Sequence, residues 1–99
     1  MFILIDNLII NTRNIDYISY SPGGTTNNDE PPQIQIVISG KGRLSYMITL
    51  IYKDGIGAMI DSDLVRDGVN HAKKKINISG FSEYVVSSAV NDIRMFKRG

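Results

Sequence analysis

The 99-residue sequence contains no cysteine and one histidine, His71. No disulfide can staple the fold, and no thiolate metal site, Cys/His dyad, histidine-pair zinc site or thiol nucleophile can be built. Most common catalytic kits are thereby excluded. Long apolar runs are missing as well. The longest, Phe2 to Ile5 and Leu8 to Ile10, are split by Asp6 and Asn7, far short of the roughly 18 residues that span a bilayer. No basic residue precedes Arg13, which argues against a secretory signal. The expected location is the cytoplasm, with no membrane partner. An excess of charge is lacking too, the net being +1.

What is present is the composition of a soluble globule, 42% apolar and 21% charged, in a chain long enough for a single domain over residues 1–99. At this size folding buries only about 60 to 65% of the unfolded surface. A core that thin, without disulfides, is most readily supplemented by a second subunit.

Up to about residue 60 the apolar residues alternate with polar ones or cluster in β-branched groups. Phe2 to Ile5 and Leu8 to Asn11 flank Asp6-Asn7, two residues that tolerate positive φ, and predict a hairpin. Ile15 to Tyr20 reads as a third strand. The segment 21–32 has no apolar member other than proline and predicts a long exposed loop. Gln33 to Ser39 places Ile34, Ile36 and Ile38 on one face, and Leu44 to Tyr52 likewise alternates. Lys53-Asp54-Gly55 reads as a hairpin turn, and Ile56, Ala58 and Ile60 as a short last strand weakened by glycine.

Beyond Asp61 the period becomes helical. Leu64, Val65, Gly68, Val69, Ala72 and Ile76 share one stripe, and Phe81, Val85, Val86, Ala89, Val90, Ile93 and Phe96 another. Ser82 fits an N-cap, with Phe81 and Val86 at the positions of a hydrophobic staple. The expected fold is α+β: a curved antiparallel meander of four or five strands over residues 2–60, then two amphipathic helices, about 62–76 and 82–97, packed on one face. Strands such as Phe2–Ile5 and Leu44–Tyr52 are apolar on both faces, and two helices cover only one. The uncovered face predicts a homo-oligomer.

No chemistry-bearing constellation emerges. Asp61-Ser62-Asp63 reads as the start of a helix rather than a metal pair. Gly40-Lys-Gly42 and Gly55-Ile-Gly57 lack the remaining residues of a nucleotide-binding loop. His71 belongs structurally at a helix end. No catalytic residue, metal or cofactor is expected, although Asp16, Asp54, Glu83 and the tyrosines are scattered over the chain. Charge is unevenly spread, with five basic and eight acidic residues before residue 68 and six basic and two acidic after it. The basic third includes Lys73, Lys74, Lys75, Arg94, Lys97 and Arg98, where helix ends alone favour cations and anionic partners are also attracted.

Asp63-Leu64, Ala72-Lys73-Lys74 and Ser79-Gly-Phe-Ser-Glu-Tyr-Val85 make residues 61–96 resemble the helical part of ribbon-helix-helix DNA-binding proteins. The resemblance implies a dimer whose second helix grips a phosphate with its first amides, with Ser79 and Ser82 as contacts. The strand positions that read bases in that family correspond to Gly55, Gly57 and Met59, which have no hydrogen-bonding side chain, and Gly68 stands where a large apolar residue is the rule. The leading expectation is a small non-catalytic interaction or regulatory module that self-associates. The alternative is a dimeric nucleic-acid-binding regulator using Lys73, Lys74, Lys75, Ser79, Ser82, Arg94, Lys97 and Arg98.

Overall fold

A computed structural model describes residues 1–23, 30–39, 45–88 and 93–97. Among them the chain forms eight strands and one α-helix. The strands lie in two sheets, one of three and one of five strands.

The first half follows its alternation. β1 (Phe2–Ile5) and β2 (Leu8–Asn11) form the expected hairpin, Ile5 opposite Leu8, with Asp6 at a φ of 48°. Asp and Asn enter this left-handed region more readily than other side chains. A short 3-10 turn, Thr12–Asn14, capped by the Asn11 side chain, carries the chain to the second sheet. There β3 (Ile15–Ser21), β4 (Gln33–Ile38) and β5 (Tyr46–Ile51) run as an antiparallel meander. Ile34 and Ile36 of β4 are buried opposite Leu50 and Ile48 of β5, as the period of two requires. In the 21–32 segment, Ser21 closes β3 and Pro22, Glu30 and Pro31 are exposed, while residues 24–29 lie outside the described part.

The second half departs from expectation. One helix, α1 (Gly55–Asn70), replaces both the strand expected at 56–60 and the helix expected at 62–76. The helix expected at 82–97 is not formed. Its residues make β7 (Glu83–Ser88) and β8 (Ile93–Lys97), preceded by β6 (Lys75–Ile78). The fold is mostly β, not a meander followed by two helices.

Each difference has a local cause. Asp54 does not turn a hairpin: its backbone is extended and its side chain accepts from the Gly57 amide at 2.9 Å, capping α1. The helix stops at His71 because Ala72 takes a φ of 50°. The Lys73 amide then donates to the Gly68 carbonyl at 2.9 Å and the Ala72 amide to that of Val69 at 3.3 Å, the bonding pattern of a Schellman end. Ile76 therefore belongs to β6. In the next segment the residues that read as one helical stripe divide between the two faces of a strand, Val86 with Tyr84 toward the core and Val85 with Glu83 and Ser87 on the opposite face. Tyr84-Val85-Val86 favours a strand, and pairing from Ile51↔Glu83 to Tyr46↔Ser88 satisfies the edge of β5. Ser82 is not an N-cap: its amide and hydroxyl both donate to the Ile51 carbonyl, at 2.8 and 3.1 Å. Phe81 meets the Tyr84 ring edge-on at 5.7 Å instead of stapling a helix.

The three-stranded sheet has the order β2-β1-β6, with β1 and β6 parallel. The five-stranded sheet has the order β3-β4-β5-β7-β8. Ile3 and Ile5 of β1 and Ile76 and Ile78 of β6 share one core with Ile34, Ile36, Ile48, Leu50 and Tyr84. The smaller sheet and α1 thus supply the second layer that two helices were expected to give. The Tyr84 phenol is pushed up from its ordinary pKa by burial and then by the charge of Asp6.

Candidate functional site

The placement of α1 begins with a buried polar tie. Tyr52, just past β5, is 2% exposed, and its hydroxyl donates to Asp61 Oδ2 at 2.6 Å. The Gly80 amide, between β6 and β7, donates to the same oxygen at 3.0 Å. A side chain on Gly80 would bring its Cβ to 3.0 Å from that carboxylate, and one on Gly57 would stand 3.3 Å from the Tyr52 ring. Burial raises the Tyr52 pKa above its ordinary value, and the hydrogen bond to Asp61 and its charge raise it further. The phenol keeps its proton and uses it to hold the carboxylate, which satisfies the one buried acid among the described residues. Asp61 is thus a mid-helix anchor, not a helix cap. Its chemistry is that of a tie between β5, α1 and the β6–β7 link.

This tie turns the small side of the helix inward. Ala58, Asp61 and Gly68 are the buried residues of α1, and a Cβ on Gly68 would collide with the Ile76 side chain. The large residues point the other way: Ile56, Met59, Ile60 and Leu64 are 65%, 49%, 53% and 40% exposed. At 100° per residue the four occupy one side of the helix. Lys53 precedes this patch, and Asp63 and Asp67 follow or flank it. On its other flank α1 leaves a cavity of about 500 Å³ toward β3, lined by Met1, Ile15, Ile18, Val65 and Val69 among others. Among the described residues no cluster of three or more His, Asp or Glu side chains is placed to hold a metal ion.

The residues singled out for nucleic acid are distributed over both sheets. Lys73 Nζ lies 2.7 Å from Asp67 Oδ2, and His71 Nδ1 lies 2.9 Å from the other carboxylate oxygen. The Lys73 hydrogen bond is the main cause that holds the Asp67 carboxyl below its ordinary pKa. His71 is the C-cap of α1 and exposed, not part of an apolar stripe. The Lys74 carbonyl accepts from the Phe2 amide at 2.9 Å, and Lys75 opens β6. Ser79 follows β6, and Ser82 is bound to Ile51 as described. Arg94 and Lys97 sit on β8, with Lys97 directly across from Glu83. Arg98 lies outside the described residues. No helix N-terminus forms at Ser79 or Ser82, and Gly55, Gly57 and Met59 lie in the first turns of α1, not on a strand.

The outward patch of α1 was not singled out from the sequence. Its signal was present in the helical spacing of Ile56, Met59, Ile60 and Leu64. The alternation of Ile56, Ala58 and Ile60 between glycines masked it. Comparisons with protein-family models, with curated proteins and with solved structures returned no match.

Proposed function

We propose that this chain is a small non-catalytic interaction module that self-associates, with the outward face of α1 as its contact surface. The observation that supports it is the reversed helix, which buries glycine, alanine and aspartate and exposes Ile56, Met59, Ile60 and Leu64. Apolar area left in water forfeits about 25 cal/mol per Å², and contiguous exposed patches mark interaction sites. Sedimentation equilibrium over a wide concentration range tests this. The mean mass should climb from one chain toward two, whereas a single-chain mass at the highest concentration overturns the proposal.

A second reading, nucleic-acid binding, draws on the exposed run Lys73-Lys74-Lys75. It has less support, because Lys73 is held by Asp67 and Lys97 faces Glu83. Under that reading duplex DNA binds at low ionic strength, affinity falls steeply with salt, and Lys74→Glu with Lys75→Glu weakens it. Absence of binding at low salt removes it.

A further inference from the structure

We infer that the occupant of the α1 face is α1 of a second copy, packed antiparallel about a two-fold axis at Ile60. This rests on the interaction-module reading and adds to it the partner, the direction and the register.

Along the helix axis the outward face runs from Lys53 through an apolar middle to Asp63 and Asp67, with Arg66 paired to Asp63 at its margin. Lys53 stands at the N-terminal end; Ile56, Met59, Ile60 and Leu64 form the middle; Asp63 and Asp67 lie toward the C-terminal end. An isologous interface must be complementary to itself. With Ile60 on the axis, an antiparallel pair sets Ile56 against Leu64 of the second copy and Lys53 against Asp67 of the second copy, with Asp63 one turn nearer the centre. A parallel pair would stack Asp63 on Asp63 and Asp67 on Asp67, like against like. The helix dipoles also favour the antiparallel arrangement, each acidic end meeting a positive helix start. Asp67 already holds Lys73 at 2.7 Å, while Asp63 pairs with Arg66 at 3.7 Å; in the same register Asp63 lies one turn, about 5.4 Å, inward of the level of Lys53, within the span of a lysine side chain. Such charges at a rim set direction and partner more than affinity.

The two edges of the five-stranded sheet fit a second copy less well. β8 carries Arg94 and Lys97 and β3 carries Asp16, the charges by which edge strands resist pairing. The size of the patch sets the expected strength. Sixteen residues make a helix about 24 Å long and roughly 10 Å wide, below the area of a standard interface. The dimer should therefore be weak and concentration-dependent, and close on itself without forming filaments.

The absence of cysteine gives a direct test. In the full chain Ile60→Cys introduces a single thiol, and a residue on a two-fold axis meets its own copy within the roughly 7 Å Cα separation that a disulfide requires. Under mild oxidation Ile60→Cys should cross-link to a dimer at least about tenfold faster than Ile9→Cys or Ile93→Cys, which are exposed on other surfaces. Lys53→Glu should weaken association by about tenfold, two symmetry-related pairs being lost, and adding Asp63→Lys should restore it, with circular dichroism unchanged throughout. If the native chain sediments as a dimer but Ile60→Cys cross-links no faster than the two controls, this inference is overturned while the interaction-module reading stands. A strict monomer overturns both. A monomer that instead binds phosphatidylcholine vesicles assigns the face to a bilayer and also overturns the second-copy placement.

Discussion

Ala72 holds a backbone conformation that glycine would hold at lower cost. With its φ at 50°, a Cβ costs about 1 kcal/mol or more, and the two hydrogen bonds of the helix end depend on that conformation. Ala72→Gly should therefore raise unfolding free energy by about 1 kcal/mol, read as a rise of several degrees in thermal midpoint. No change or a loss would mean that Ala72 is not held left-handed. This stop was hidden in the sequence because no glycine marks it, and Ile76 extends the apolar stripe past it. Tyr52 is a second residue whose role no pattern announces. Tyr52→Phe leaves the buried Asp61 carboxylate with one of its two observed donors and should cost about 1–3 kcal/mol at neutral pH, measured by urea unfolding. The sign of the alkaline effect follows from a folded pKa raised above 10.0. The stabilising contribution is whole below about pH 10 and drains away as pH rises further, because the unfolded phenol ionises first. The wild-type chain should thus lose stability above that pH more steeply than Tyr52→Phe.

At the scale of elements, the five strands up to residue 51 were legible because alternation and turn chemistry agree there. Ile34, Ile36, Ile48 and Leu50 are buried where their spacing places them. Past Tyr52 the two signals conflict. Glycine at 55 and 57 weakens any element, and the decisive residue is Asp54, whose carboxylate serves a turn or a cap equally well in sequence. Asp54→Ala should destabilise the fold by about 1 kcal/mol through loss of the cap. An unchanged denaturation midpoint would contradict that role. For β7 the contiguous run Tyr84-Val85-Val86 fits a helical stripe or a strand, because periodicity does not separate the two over so short a run. What decides is remote in sequence: the free edge of β5 needs a partner, and Tyr84 fills the shared core. Nothing local encodes that demand. The outward patch of α1 was unreadable for a related reason, since which side of a helix faces water depends on Asp61 meeting Tyr52 and Gly80.

For the whole molecule, the two-sheet arrangement changes what a second copy would be needed for. The inner face of the large sheet is covered by β1, β2, β6 and α1, so the core closes within one chain. Left in water, beside Ile9 of β2 and Ile93, Met95 and Phe96 of β8, is the large-residue side of the helix that does the covering. As proposed above, this side is a contact surface for a second copy. The most direct test is the solution mass of the native chain beside that of Ile60→Lys, a change at a half-exposed position. The native chain should reach the mass of two chains as concentration rises and Ile60→Lys should stay at one, with matching circular dichroism. Equal masses for the two at every concentration would contradict it.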